Sequence, residues 1–195
     1  MNAPVLLFTG GIRSGKSALA LRWAGGQTDN RLFLASCVPE DAEMVARVDR
    51  HKAERGPGWN CLEEGLDPQK ALESYFFSRE LCVLLFDCAS MWIANMLYAG
   101  LTREDALSRV IRFAEYLAAL NFPAALVSAE VGLGVVPANP IARRFQDTLG
   151  LANQILASFC QTVIFVSCGL PLSLKGTLPG GLCPDFPPEE KDFRL

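Results

Sequence analysis

Short apolar runs alternate along this chain with stretches of helical spacing. Val5–Thr9, Arg31–Ser36, Leu81–Phe86, Ala124–Ala129 and Val163–Cys168 are nearly continuous in apolar residues. Such runs predict strands covered on both faces, hence a mostly parallel sheet with helices on both sides, an α/β fold. The intervening segments carry helix signals. Ala18–Ala24 halts at Gly25-Gly26, and Pro39–Glu54 opens on Pro39, Glu40 and Asp41 and breaks at Arg55-Gly56-Pro57-Gly58. Gln69–Phe77 and Ser90–Ala99 read as short helices. Thr102, with Asp105 three residues on, starts a helix running to Leu120. Its predicted buried face is Leu107, Val110, Ile111, Ala114, Leu117 and Ala118. Asn139-Pro140 opens the last helix, with Ile141, Phe145, Leu149, Ala152 and Leu156 in line. Residues 176–195 are rich in Pro and Gly and lack periodicity. The reading is one domain over 1–175 and an extended tail over 176–195, loosely ordered unless docked on a neighbour.

The first strand runs into Gly10-Gly11-Ile12-Arg13-Ser14-Gly15-Lys16-Ser17, and a helix follows. In that context G-x-x-x-x-G-K-S is a phosphate-binding loop. Glycines let backbone N–H groups curl round an anion, and the helix N-terminus points at the same place. Lys16 then reaches the outer phosphates, and the Ser17 hydroxyl suits Mg²⁺. Asp87 ends the third run and reads either as a second Mg²⁺ ligand at a strand's carboxyl end or, with Ser90, as a helix cap. Glu130 ends the fourth run. It is a candidate to orient water, accept a hydroxyl proton or hold metal through water, or else to pair with Arg143 or Arg144. His51, the single histidine, shares a helical face with Arg47 and Arg55. Those cations and Lys52 favour a neutral, nucleophilic imidazole and would collect a triphosphate; a solvated basic helix end is the alternative.

Totals narrow the class. A net charge of −3 and a pI near 5.3 argue against nucleic acid or an anionic membrane as the main partner. No apolar stretch reaches membrane-span length without polar interruption, and the N-terminus lacks a signal pattern, so the expectation is a cytoplasmic protein. Seven cysteines without a C-x-x-C pair read as small buried hydrophobes in a reducing compartment, Cys82, Cys88, Cys160 and Cys168 in particular. One histidine and no ligand spacing leave no basis for zinc.

Several segments together resemble the bifunctional adenosylcobinamide kinase / adenosylcobinamide-phosphate guanylyltransferase family, from about Val5 to Lys175. They are the phosphate loop, with Ile12 where Ala is usual; Arg47-Val-Asp-Arg-His51-Lys52 with Arg55, Trp59 and Glu63; and Asp87-Cys-Ala-Ser-Met-Trp92 through Leu97. Further along come Ser128-Ala-Glu130-Val-Gly-Leu-Gly-Val-Val-Pro137, with Ala129 where Asn is usual, then Ala142–Asp147 through Asn153-Gln154, and Ser167–Lys175. The resemblance implies a RecA-like phosphate-loop fold and two reactions. In one, a nucleoside triphosphate phosphorylates the aminopropanol hydroxyl of adenosylcobinamide. In the other, GTP gives GMP to a histidine, His51 here, and the GMP passes to adenosylcobinamide phosphate. It implies Mg²⁺, with ATP and GTP as substrates. Nucleotide contacts are implied at Gly10, Gly11, Ile12, Arg13, Ser14, Gly15, Lys16, Ser17, Ser36, Cys37, Val38, Arg55, Glu63 and Asp87, and a homotrimer with the site near a subunit boundary. A small-molecule kinase without histidine transfer, or a RecA-like ATPase or switch, is the alternative.

Overall fold

The computed structural model describes residues 3–37, 55, 58–76 and 83–182. Val38, the predicted Pro39–Glu54 helix with His51, and Leu81-Cys82 lie outside the described residues. Among those described, the strands are β1 (Val5–Gly10), β2 (Arg31–Ala35), β3 (Trp59–Glu63), β4 (Val83–Asp87), β5 (Ala124–Val127), β6 (Thr162–Ser167) and β7 (Leu170–Lys175). The helices are α1 (Lys16–Gly25), α2 (Pro68–Phe76), α3 (Ala89–Tyr98), α4 (Arg103–Ala118) and α5 (Pro140–Phe159). They form one sheet in the order β3-β2-β4-β5-β1-β6-β7, parallel throughout except that β7 runs antiparallel to β6.

Alternate side chains of each strand feed two separate cores. Val5, Leu7, Leu34, Leu84, Phe86 and Leu126 face the layer of α3, α4 and α5. Leu6, Phe8, Phe33, Leu85 and Val127 face α1, whose Leu19, Ala20, Trp23 and Ala24 are buried against them. This two-sided burial is why the central strands read as unbroken apolar runs. A strand, β5, separates the phosphate-loop strand β1 from the Asp87 strand β4, which is the RecA-like arrangement.

Five strands are legible as apolar runs, but the sheet has seven. The two others are its edges. β3 has one neighbour and is half-exposed, so Asn60 and Glu63 are tolerated in it. β7 alternates Leu with Pro171 and Ser173, and an edge strand accepts the proline. The last run ends at Ser167, and Cys168 lies exposed in a two-residue turn with Gly169, both left-handed, as a tight hairpin requires. Cys61 is likewise exposed, while Cys160 is buried.

The buried face of α4 is Ala106, Val110, Phe113, Ala114 and Leu117, and Ile111 is 40% exposed. The helix is rotated from the predicted face because Phe113 inserts edge-to-face between Phe86 and Trp92, with centroids 5.3 Å from each. Ile141 on α5 is 62% exposed, and Thr148 and Asn153 take buried places on the inner face instead. Beyond β7, Leu178 and Leu182 fold back onto the α1-side core of the same chain, Leu182 at 1% exposure. No helix among the described residues is long and apolar enough to cross a membrane.

Candidate functional site

The phosphate loop joins β1 to α1, and its backbone shape demands its glycines. Gly10 has φ 149°, and a Cβ there would run into the Val166 carbonyl oxygen. Gly15 has φ 94°, and a Cβ there would stand 3.2 Å from the Gly169 Cα. The β6–β7 turn therefore braces the loop from outside, and Gly169 N–H donates to the Ser14 carbonyl at 2.9 Å. Gly15 is the N-cap of α1 and supplies no side-chain cap bond, which leaves the first helical N–H donors to an anion. Lys16 Nζ donates to the Gly11 carbonyl at 3.1 Å. The Ser14 hydroxyl is buried with no hydrogen-bond partner among the described residues. A cradle that only glycine fits, a folded-back lysine and a lone buried hydroxyl suit a phosphate group.

The strand register lines up the other candidates at the same edge. Ala35 is level with both Glu63 and Asp87, and Asp87 is level with Val127. This is the carboxyl edge, where open α/β sheets bind ligands. Asp87 ends β4, and the N-cap of α3 is Cys88, which makes no side-chain cap bond. The N-cap position itself is thus Cys88, neither Asp87 nor Ser90. Ser36 is fully buried, and its hydroxyl is engaged internally, donating to Cys88 O at 2.6 Å and accepting from Cys88 N at 3.0 Å. Asn95 Nδ2, on α3, donates to Ser36 O at 2.7 Å and Gly65 O at 3.1 Å, tying that helix to the ends of β2 and β3. The Ser36 hydroxyl is therefore committed to the backbone of Cys88. Burial, then the Asp87 charge, push the Cys88 thiol up to about 11, so it is not a nucleophile near neutrality.

Glu130 follows β5. Its N–H donates to Gly10 O at 3.1 Å, and Ser128 N–H to Phe8 O at 2.9 Å, which carries the segment along β1 up to the phosphate loop. Its Oε1 accepts from Thr9 Oγ1 at 2.8 Å and Asn153 Nδ2 at 3.1 Å. Arg143 donates to the Pro137 and Ala138 carbonyls and Arg144 to that of Leu101; neither takes up the ion pair considered for Glu130.

A cavity of about 310 Å³ opens beside the loop, with Ser17 and Asp87 at its margin and Arg22, Arg55, Phe33 and Trp59 in its wall. The Arg55 guanidinium lies 3.7 Å over the Phe33 ring, and Trp59 meets Phe33 edge-on at 6.2 Å. Ser17, Arg55 and Asp87 thus share one cavity. Glu63 is level with Asp87 but two strands away, on the outer strand, and Cys37 lies just beyond β2. Thr9, Asn153, Arg22 and Phe33 were not singled out as functional from the sequence. Asn153 does leave a trace there, an amide four residues after Leu149 on an otherwise apolar helix face.

The family described as cobinamide kinase / cobinamide phosphate guanyltransferase matches residues 6–174 of this chain. The bifunctional adenosylcobalamin biosynthesis protein CobP of Pseudomonas aeruginosa is 37% identical over 171 residues, 87% of this chain and 96% of the relative. The bifunctional adenosylcobalamin biosynthesis protein CobU of Escherichia coli K12 is 31% identical over 184 residues, 88% of this chain and 99% of that one. A solved structure from Pyrococcus horikoshii OT3 superimposes with a TM-score of 0.55 at 7% identity, covering 91% of this chain and 89% of the other; it shares the fold. By the family match over nearly its whole length, this chain belongs to the cobinamide kinase / cobinamide phosphate guanyltransferase family.

Proposed function

We propose that this chain phosphorylates adenosylcobinamide with a nucleoside triphosphate and then transfers GMP from GTP to adenosylcobinamide phosphate, giving adenosylcobinamide-GDP in cobalamin biosynthesis. The observation that carries this reading is the phosphate loop of a family member, with its glycines locked and Lys16, Ser17 and Asp87 gathered at one edge of the sheet.

Gly10 to Ser17 hold the phosphates through backbone N–H groups, and Lys16 stabilises charge on the phosphate oxygens. Ser17 and Asp87 are the residues that would hold Mg²⁺, which when bound neutralises charge on the triphosphate. The cavity lined by Phe33, Trp59 and Arg55 takes the nucleoside half; Cys37, Glu63 and Val38, the last outside the described residues, are further nucleotide contacts by the family resemblance. His51, outside the described residues, is the guanylyl carrier. Its imidazole nitrogen attacks the α-phosphorus of GTP, the α–β bridging P–O bond breaks and pyrophosphate leaves. The phosphoramidate then yields GMP to the substrate phosphate. The acidic balance of the chain leaves nucleic acid out of this reading, and the setting is the cytoplasm. The exposed leucines of β7 support assembly of several copies, a trimer by the family resemblance.

Intact mass after incubation with GTP and Mg²⁺, followed by peptide mapping, tests the transfer step. The expected result is one GMP on His51, labile in acid, and none on His51→Ala. An adduct retained by that variant removes His51 from the reaction, and no adduct on wild type reduces the reading to a kinase alone.

A further inference from the structure

We infer that Glu130 is the base of the phosphorylation step, and that Thr9 and Asn153 are its positioning residues; the inference rests on the kinase activity proposed above. Three observations carry it. First, the backbone of Glu130 is bonded to the phosphate loop itself, its N–H on Gly10 O at 3.1 Å, and its carboxylate is bonded to Thr9, the residue before that glycine. Of the other carboxylates at this edge, Asp87 is assigned to the metal and Glu63 belongs to the outer strand β3.

Second, both hydrogen bonds to the carboxylate from the described residues end on one oxygen, Oε1. Donors on one oxygen fix the plane of the group, and Oε2, which takes no hydrogen bond from the described residues, is left for a substrate hydroxyl. Third, the donors are themselves pinned. Thr9 is 3% exposed and Asn153 is 8% exposed. Ser128 Oγ donates to Asn153 Oδ1 at 2.6 Å, so the amide directs its two hydrogens at Ala129 O and at Glu130. An amide with both ends committed cannot swing, which is what holding a base within reach of a reacting hydroxyl demands.

In the step, a lone pair of the substrate hydroxyl forms the new O–P bond to the γ-phosphorus. The bond from that phosphorus to the β–γ bridging oxygen breaks, and its electrons leave with the nucleoside diphosphate. The hydroxyl proton goes to Glu130 Oε2, and the neutral carboxylic acid returns it to solvent after product leaves.

The test is steady-state phosphorylation of adenosylcobinamide by the full chain, with ATP and Mg²⁺ each titrated. Glu130→Gln is expected to lose on the order of 10²–10⁴-fold in rate, the usual contribution of a positioned base, at every Mg²⁺ concentration and with KM for ATP little changed. Thr9→Val, which keeps shape and removes the donor, is expected to lower kcat about tenfold, the scale of one hydrogen bond to a charged group, and Thr9→Ser to restore it. Asn153→Ala should resemble Thr9→Val, and Thr9→Val decides the matter should that variant fail to fold. Recovery of Glu130→Gln by added Mg²⁺ overturns the inference in favour of metal binding, and Thr9→Ser as impaired as Thr9→Val overturns the positioning role. A wild-type chain without phosphoryl transfer removes the functional reading itself, whereas an active wild type with a fully active Glu130→Gln removes this inference alone.

Discussion

Lys16 and Asp87 separate two things a charged residue can do. Lys16 borders a loop whose shape is held by glycines and by the β6–β7 turn, so its charge contributes to binding and rate and little to folding. Lys16→Ala is expected to cost each reaction about 3 kcal/mol of transition-state stabilisation, the scale of one preorganised charge, with an unchanged denaturation midpoint. Asp87→Asn should keep the fold and lose the dependence of rate on Mg²⁺; full activity with unaltered Mg²⁺ dependence in that variant removes Asp87 as a ligand.

The cysteines divide by position. Burial raises Cys160 from 9.0 to about 12, with Lys175 opposing, and burial and Asp87 raise Cys88 to about 11. A thiol whose folded value lies above its unfolded one contributes stability that is complete below pH 9 and is lost as pH climbs through 11 and 12. Urea denaturation along that range should show the decline, and a flat profile refutes it. Near neutrality a thiol reagent should label the exposed Cys61 and Cys168 first and Cys160 only on unfolding.

Among the elements, helix starts are the best-specified features. Thr102 accepts from Asp105 N at 3.1 Å and Asn139 accepts from Ile141 N at 2.8 Å, both as local sequence signals require. The ends of β2, β3 and β4 are tied differently, through Ser36, Cys88 and Asn95, residues far apart in the chain. Ser36→Ala leaves the part-buried Cys88 N–H and O without this partner and is expected to cost about 1–3 kcal/mol. It should also lower the rate by displacing Asp87. Urea denaturation checks the first effect and kinetics at saturating Mg²⁺ the second; a destabilised but fully active variant would confine Ser36 to the fold. Elements whose limits follow from capping chemistry were legible in advance, whereas α4 was legible as a helix but not in its rotation, because Phe113 takes its place from Phe86 and Trp92.

For the whole molecule, the sheet has two unlike edges. β3 is half-exposed and carries Asn60 and Glu63. β7 presents Leu170, Leu172 and Leu174, which are 44%, 60% and 60% exposed, on one face of an outermost strand. A flat apolar edge of this kind invites pairing with another chain. For the trimer proposed above, Leu172→Lys combined with Leu174→Lys is expected to give monomers in light scattering while the far-ultraviolet circular dichroism stays unchanged. A variant that keeps the wild-type mass places any contact between copies elsewhere.

Local chemistry in the sequence by itself determined the phosphate loop, the central strands and the helix starts, because glycine geometry, capping and two-sided burial act over a few residues. Asp87 and Glu130 were also legible as acids at strand ends. Tertiary structure decided the rest. Strand order set β5 between β1 and β4 and so brought Glu130 beside Gly10. The edge strands escaped the apolar pattern because one of their sides meets solvent. Thr9 and Asn153, 144 residues apart in number by their positions in the chain, meet on a single carboxylate oxygen because β1 and α5 pack against the same segment. No periodicity in either stretch encodes that meeting, since a hydrogen bond between distant side chains exists only once the sheet has closed.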